Sequence, residues 1–449
     1  MPSHRLAALA LGGALLALPA AAEMRIELKD GRVFVLPFEQ DDIASLAFDG
    51  VPTDPRAAIR LERSSGTATA AAAPPAGPAP VAVAQGGRLL RVGPGLPLPV
   101  PSAAAAVARD GDTVEIVAAT YRGDVARWPQ SNLTIRGVGG RPHIDADGGG
   151  YGGKAAWVVS GRDVLIENIE LSNSSVADHN GAAIRAEGAN LTLRGLYVHD
   201  NEMGILTAGD FAGEILIEGS EFTRNSVDHE RYGIQPGHNI YVSGADRFTL
   251  RGSWVHDATG GHNVKSRARE NLIAYNRIED GAQGSASYQI DIADAAPTII
   301  LGNLVQQGPQ ADNWVVVSLA SEGRAAPRAS TWLVNNTIVN DRGNGVFVAN
   351  RSDDPVILVN NIMAGRGEPH AGPVQVKSGL AGSDPRFADA AASDYRLLPG
   401  SPAIDAGIQP GTVRGMGLTP ELEYVHPAGT RPRAIRGGAI DLGAIEAED

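Results

Sequence analysis

The stretch Leu191-Thr-Leu-Arg-Gly195 is one copy of a short apolar strand, ending in Gly or Asn, that recurs along the chain. Successive copies are 24 to 33 residues apart, alternate apolar and polar positions, and show no helical period. Short strands at such a period predict a coil that completes one turn per repeat. The other copies are LTIRG at 133–137, VLIEN at 164–168, ILIEG at 215–219, FTLRG at 248–252, LIAYN at 272–276, IILGN at 299–303, WLVNN at 332–336 and ILVNN at 357–361.

One coil of this kind cannot bury its Val, Ile and Leu side chains by itself. Stacked coils form a continuous core and pair every backbone group with a neighbour. The pattern therefore predicts an all-β chain folded as a right-handed parallel β-helix, a single-stranded solenoid of about nine or more coils. The strand pattern excludes helical repeats, and the missing Leu and Asn consensus excludes a leucine-rich-repeat horseshoe. A β-sandwich would not keep this coil-to-coil register.

The N-terminal segment has the pattern of a signal peptide over residues 1–22. His4 and Arg5 precede an apolar run, and small residues stand at 20–22. No later segment approaches the roughly 18 apolar residues of a membrane span, so we expect no membrane association after cleavage. The sequence therefore predicts a periplasmic or secreted protein, and we expect it to be a monomer.

Three further regions follow the predicted signal peptide. Residues 23–63 alternate polar and apolar positions around Asp30-Gly31, which predicts a small N-terminal β-hairpin region. Residues 64–86 are almost all Ala, Pro, Gly, Ser and Thr and predict a linker. The β-helix domain is expected over 87–449, with a C-terminal cap at 384–449.

The composition limits the possible partners. The chain has 38 Lys and Arg against 51 Asp and Glu, a formal net charge of −13, which argues against nucleic acid. An acidic polysaccharide would also be repelled unless a local basic cleft focuses the field. There is no Cys, so disulfides cannot stabilise an exported form.

A candidate site follows from the register of two neighbouring coils. Gly237-His238-Asn239 recurs one coil later as Gly261-His262-Asn263, so His238 and His262 should stack. If Ile240 and Val242 face the core, Tyr241 and Lys265 share an outward column. The same face is expected to carry Arg267, and Asp291 of the next coil extends the column.

Other candidates for substrate binding surround this face. A second repeat, Leu196-Tyr-Val-His199-Asp200 and Ser253-Trp-Val-His256-Asp257, brings His256 and Trp254 to the coil that leads into His262. A polar insertion over 225–236 brings His229 near the same edge. Tyr288 belongs to the strand of Asp291.

Structural interpretations compete with these functional ones. Asn239 and Asn263 are read as an amide ladder, and His199 as a turn or surface residue. Two imidazoles in contact disfavour double protonation and so invite a partner, a metal or a substrate carboxylate. A structural and a functional role therefore weigh equally for His238 and His262. Lys265 and Arg267 alone could form a solvated stripe. Trp254 and Tyr241 could stack on sugars or simply cover the solenoid.

A local resemblance adds to this reading. The stretch Asn263-Val-Lys-Ser266, followed by 270–281, resembles a coil of the chondroitinase B and alginate lyase family of polysaccharide lyases, and the tail at 384–407 and 437–446 resembles the closing segment of such proteins. The resemblance implies that Lys265 takes the proton next to a uronate carboxylate. The chain departs from the family in two places. It has Gly261-His-Asn263 where the family has an acidic calcium-binding motif, and it has Gln289-Ile-Asp-Ile292 where the family has its acid in a Leu-Arg-His-Gly motif. In the tail, Asp405 and Asp441 are expected to be structural.

The leading hypothesis is β-elimination on a uronate-containing polysaccharide. Arg267 would neutralise the carboxylate, Lys265 or His262 would act as base, and Tyr241 or His238 would donate a proton. Epimerisation shares the first step. Hydrolysis would need two carboxyl groups, for which Asp257, Asp291 and Asp294 are candidates. A non-catalytic carbohydrate- or metal-binding module is the third class. No metal ligand is assigned, although a divalent cation such as calcium is possible.

Overall fold

The computed structural model describes residues 87–324 and 330–448, and four strands nearer the N-terminus. The chain divides into two compact units, Met1–Ala73 and Pro74–Asp449. The predicted signal peptide and linker lie outside the described residues. In the first unit the strands form two antiparallel pairs, Met24–Glu27 with Val33–Leu36 and Ile43–Phe48 with Ile59–Arg63.

Three long parallel sheets make up the second unit, and we call them A, B and C. Sheet A has 12 strands: Leu89–Val92, Thr113–Val117, Thr134–Val138, Arg162–Glu167, Ala189–Arg194, Ala212–Glu218, Arg247–Arg251, Asn271–Ala274, Thr298–Leu301, Thr331–Val334, Val356–Val359 and Val374–Val376. Sheet B has 11: Thr120–Arg122, His143–Asp145, Glu170–Ser172, Tyr197–His199, Glu221–Thr223, Trp254–His256, Arg277–Glu279, Leu304–Gln307, Thr337–Asn340, Asn361–Gly365 and Gly379–Ala381. Sheet C has 10: Ala126–Trp128, Ala155–Val159, Ala182–Ala186, Met203–Thr207, Ile240–Val242, Val264–Ser266, Ile290–Asp294, Val315–Arg324, Val346–Asn350 and Glu368–Ala371.

From Thr113 onward the chain visits the sheets in the order A, B, C and then returns to A, so each complete coil contributes one strand to each sheet. This is the predicted parallel β-helix. Each strand alternates between the interior and the outer face, and the inward side chains of successive coils stack into apolar columns. The inward column of sheet B is Ile144, Leu171, Val198, Phe222, Val255, Ile278, Val305 and Ile338, all buried in one core.

The Gly or Asn near the end of the copies that follow 133–137 is explained by the turn from sheet A to sheet B. The backbone there adopts a left-handed conformation, as at Gly195 with φ 61° and Asn335 with φ 49°. Glycine and asparagine adopt this conformation most readily. Tyr275 is the exception with φ 59°, and its hydroxyl accepts a hydrogen bond from the Glu421 backbone N–H of the tail.

Two ladders of buried amides connect the coils at their turns. Between sheets A and B, Asn276, Asn303 and Asn336 each donate from Nδ2 to the Oδ1 of the next Asn at 2.9 Å, and the ladder ends at Asn361. Between sheets B and C, the ladder runs through Asn201, Asn225, Asn239, Asn263 and Gln289. The predicted amide ladder of Asn239 and Asn263 is therefore confirmed.

Other elements cover the solenoid. The helix Pro101–Val107 packs on the first strands of sheets A and C, and a short helix, His229–Tyr232, lies in the polar insertion. No helix in the described part of the chain is long and apolar enough to cross a membrane. The tail has a 3-10 helix, Ala390–Ala392, and three antiparallel strand pairs: Phe387–Asp389 with Asp394–Leu397, Thr412–Val413 with Met416–Gly417, and Leu422–Tyr424 with Thr430–Pro432.

The tail, which the sequence predicts as a C-terminal cap, packs along the side of the solenoid. The outward positions of sheet A become apolar in the later coils, at Leu272, Ile299, Trp332 and Ile357, and Leu418 of the tail belongs to the cluster that covers them. The predicted structural roles of two tail aspartates are confirmed. Asp441 Oδ1 accepts a hydrogen bond from the Asp405 backbone N–H, and Asp405 Oδ1 accepts from the backbone of Gly438 and Ala439.

Candidate functional site

The predicted outward column lies on the outer face of sheet C. Tyr241, Lys265, Asp291 and Ser318 occupy the same position on four successive strands. Ile240 and Val242 point inward and are fully buried. The column could be predicted because the two-residue period of a strand fixes which side chains share a face.

Beside this column, three aromatic rings form a stack at the turn that leads into sheet C. The ring centroids of His238 and His262 are 4.8 Å apart, and those of His262 and Tyr288 are 4.9 Å apart. The His262 backbone N–H also donates to His238 Nδ1 at 2.9 Å. The expected stacking of the two histidines is therefore present, and Tyr288 extends the stack by one coil.

A carboxylate bridges the two cations of the site. Lys265 Nζ donates to Glu322 Oε1 at 3.0 Å, and Arg267 Nη2 donates to both carboxylate oxygens of Glu322. Both cations also lie near the Tyr241 ring, at 5.3 and 5.7 Å from its centroid. Asp291 Oδ2 lies 3.9 Å from Lys265 Nζ. We call Tyr241, Lys265, Arg267, Asp291 and Glu322 the sheet C site.

Burial and charge set the protonation states around this site. Burial, together with the smaller effect of the Lys265 ammonium, lowers the pKa of His262 to about 3. Burial and the charges of neighbouring His262, Lys265 and Arg267 hold the pKa of His238 well below its usual range. Both imidazoles are therefore neutral near pH 7, and His262 is too weakly basic there to serve as an efficient general base.

The pKa values of the two carboxyl groups, Asp291 and Glu322, are shifted in opposite directions. Burial raises the pKa of Asp291, which is 1% exposed, and outweighs the opposing effects of the Ser321 hydrogen bond and the Lys265 charge. Partial burial also acts to raise the pKa of Glu322, but the hydrogen bonds from Lys265 and Arg267 have the larger combined effect, so this pKa is lowered. The site therefore contains one carboxyl group whose pKa is raised and one whose pKa is lowered.

The neutral imidazole of His262 makes stability depend on pH. Unfolded histidine binds a proton below about 6.5, whereas folded His262 does so only near 3, so stability is lost as the pH falls through this window. The free energy of unfolding of the wild type should fall by up to about 2–3 kcal/mol more than that of His262→Gln between about pH 6.5 and 4.5. Urea unfolding at both values measures this difference, and equal losses in the two proteins would contradict it.

Comparison of the sequence with known protein families identifies the family of this β-helix. Residues 130–362, more than half of the chain, match the family described as right handed beta helix region. The chain belongs to the right-handed β-helix family. The predicted fold, including its handedness, is confirmed. A search of curated protein sequences gave no match.

Two solved structures are similar to this β-helix. Pectate lyase Pel9A is 15% identical, with a TM-score of 0.54 over 80% of this chain and 96% of that chain. The alginate lyase from Paenibacillus sp. str. FPU-7 is 17% identical, with a TM-score of 0.43 over 66% of this chain and 99% of that chain. At such identities the likeness to Pel9A shows the fold alone.

The β-helix separates two predicted binding residues from the sheet C site. Trp254 and His256 lie on the outer face of sheet B, stacked with centroids 3.7 Å apart. His426 of the tail packs edge-on against Trp254 at 4.4 Å. The tail thus partly covers Trp254 and His256. They lie on a different face from the sheet C site because the turn between sheets B and C redirects the chain after His256.

Two other predicted residues lie at the edge of the site. His229 packs on Gly260, where an added Cβ would come within 2.4 Å of the imidazole, so the insertion reaches the turn before His262 as expected. His199 stands at the end of a sheet B strand and pairs with Glu170 and Asp200. It is therefore part of a polar cluster rather than an isolated turn residue.

Two site residues were missed from the sequence. Ser318 continues the column of Asp291 by one coil, and the motif Val-Val-Ser-Leu-Ala at 316–320 could have revealed it. Glu322 could not have been found in this way, because the register shifts between Ile292 and Asp294, opposite its strand.

The residues of the sheet C site do not fit a calcium ion. Calcium takes six to eight oxygen ligands, chiefly carboxylates and carbonyls. Here both carboxylates lie within ion-pair distance of the Lys265 ammonium, and Arg267 also binds Glu322. A divalent cation at this position would be repelled by two fixed positive charges.

Proposed function

We propose that this protein is exported and cleaves a uronate-containing polysaccharide at the sheet C site by β-elimination. The observation that carries the proposal is the Glu322 carboxylate held between Lys265 and Arg267. Arg267, which binds the Glu322 carboxylate on an outer face, can bind the carboxylate of a sugar in the same way, with Lys265 beside it. The long lateral face of a solenoid suits an extended polymer.

Each residue then has a defined task. Arg267 neutralises the sugar carboxylate and so stabilises the charge that develops when the adjacent C–H bond breaks. Lys265, in its deprotonated form, takes that proton. The electron pair forms a carbon–carbon double bond as the bond to the leaving glycosidic oxygen breaks, and the Tyr241 hydroxyl donates a proton to that oxygen. Tyr241 regains a proton from water and Lys265 releases the proton it took to water, so both groups return to their starting forms.

The proposal is tested by incubating the purified protein with alginate, pectate, glucuronan and glycosaminoglycans. β-Elimination produces unsaturated uronic ends, whose ultraviolet absorbance rises with time. We expect such a rise with at least one polymer. New reducing ends without this absorbance would indicate hydrolysis, and binding without either product would indicate a non-catalytic module; both outcomes would overturn the proposal.

Hydrolysis is the second candidate, favoured by the opposed pKa shifts of Asp291 and Glu322. A glycosidase needs one neutral and one charged carboxyl group on either side of the bond. Asp257, another sequence candidate, instead pairs with His256 on sheet B. In a hydrolase, Asp291 would be the acid, and Glu322 the nucleophile or base.

The variant Glu322→Gln separates the two candidates. In a lyase, loss of this charge frees Arg267 for the sugar carboxylate, and we expect KM to fall several-fold with kcat nearly unchanged. In a hydrolase, loss of a catalytic carboxylate should reduce kcat by about 10²-fold or more. Steady-state kinetics on the polymer that is cleaved best measures both constants. Glu368→Gln, an exposed change on another strand of sheet C, is the matched control and should alter neither.

A further inference from the structure

A second polar cluster lies on the outer face of sheet B, away from the proposed active site. His143, Glu170 and His199 come from three successive strands whose inward residues are buried in the core. Glu170 Oε1 lies 3.6 Å from His143 Nδ1 and 3.2 Å from His199 Nε2. The three potential ligand atoms all lie within 4.8 Å of one another.

The other nitrogen of each imidazole is held by a neighbour. His199 Nδ1 is 2.6 Å from Asp200 Oδ2 and donates to it, which leaves the lone pair of Nε2 directed at the cluster. His143 Nε2 is 2.7 Å from Ser172 Oγ, which leaves Nδ1 on the cluster side. Metal-binding histidines are held in this way, with the nitrogen that does not bind the metal hydrogen-bonded to a carboxylate or another polar group.

The spacing also fits a small transition-metal ion. With metal–ligand bonds of about 2.0–2.1 Å, two ligands of a tetrahedral zinc ion are about 3.3 Å apart. The two distances to Glu170 Oε1, 3.2 and 3.6 Å, lie close to this value. Two imidazole nitrogens and one carboxylate suit zinc better than calcium, which prefers oxygen ligands alone.

We propose that His143, Glu170 and His199 bind one zinc ion through Nδ1, Oε1 and Nε2. The ion connects three successive coils, and the three protein ligands leave a fourth position for water or another ligand. Asp200 also lines a cavity of about 470 Å³ together with Asp145 and Asp147.

The chain contains a natural control for this site. His256 repeats the contacts of His199, because its Nε2 lies 3.3 Å from Glu221 Oε1 and its Nδ1 lies 2.7 Å from Asp257 Oδ2. In the place of His143, however, this copy has Tyr197. The second copy therefore lacks one imidazole ligand and should not bind zinc tightly.

Calorimetric titration of the tag-free protein with zinc chloride tests the proposal. We expect saturation at one zinc ion per chain and a rise in Tm with zinc concentration, since only the folded state brings the three ligands together. Calcium should not compete. His143→Gln, Glu170→Gln and His199→Gln should each weaken zinc binding by at least about 100-fold. His256→Gln should leave it unchanged.

Cobalt(II) provides a readout that does not depend on stability, because a tetrahedral nitrogen and oxygen site gives intense visible absorption bands. These bands should appear in the wild type and His256→Gln and be lost in the three ligand variants, each shown by circular dichroism to be folded. No saturable zinc binding by the wild type, or equal weakening by His256→Gln, would overturn the proposal.

Discussion

Replacing Lys265 with Met should reduce polysaccharide cleavage by about 10²- to 10⁴-fold, the range expected when a general base is removed. Met keeps much of the apolar stem of lysine, so the packing on Tyr241 should change little. The Arg267 side chain remains to bind the sugar carboxylate. We therefore expect the loss in kcat, measured by ultraviolet absorbance, with a small change in KM.

Lys377→Met is the matched control for this experiment. The Lys377 ammonium also lies over an aromatic ring, 4.8 Å from the centroid of Trp332. Trp332 belongs to sheet A, so the control lies on a different face of the solenoid. It should leave kcat unchanged. A kcat for Lys265→Met within about twofold of the wild type would show that Lys265 is not the base.

Replacing Asn263 with Ala should lower the free energy of unfolding by about 2–4 kcal/mol, the second large effect we expect. Asn263 is fully buried and lies within the amide ladder. Its side chain accepts from Asn239 Nδ2 at 2.7 Å and donates to Gln289 Oε1 at 2.7 Å and to the Glu279 carbonyl at 3.2 Å. The variant leaves these groups buried without their partner, and each lost hydrogen bond carries a desolvation cost.

Equilibrium urea unfolding measures this loss. Asn344→Ala is the control, because Asn344 is exposed and its side chain accepts only from the next backbone N–H, at 2.9 Å, in the described structure. Its effect should stay within about 0.5 kcal/mol. If both variants unfolded at the same urea concentration, the ladder would not be an important source of stability.

The periodic features of this protein were accessible from the sequence. Stacked coils must repeat their strands in register, so Gly237-His-Asn239 and Gly261-His-Asn263 placed Lys265 beside Tyr241 and His262 beside His238. The alternation of strand residues predicted which of these side chains faced outward. The electrostatic consequence, neutral imidazoles beside two cations, needed the burial that only the folded chain produces.

The sequence by itself determined the β-helix, the amide ladder and the column through Tyr241, Lys265 and Asp291, because each depends on a regular period. Only the tertiary structure decided where Glu322, His256 and the tail lie relative to the sheet C face. Glu322 reaches Lys265 from an irregular part of its strand. The turn after His256 places that residue on another sheet, and the tail packs along the side of the solenoid. Turns, irregular strands and long-range packing obey no period, so their positions depend on contacts between residues far apart in the chain.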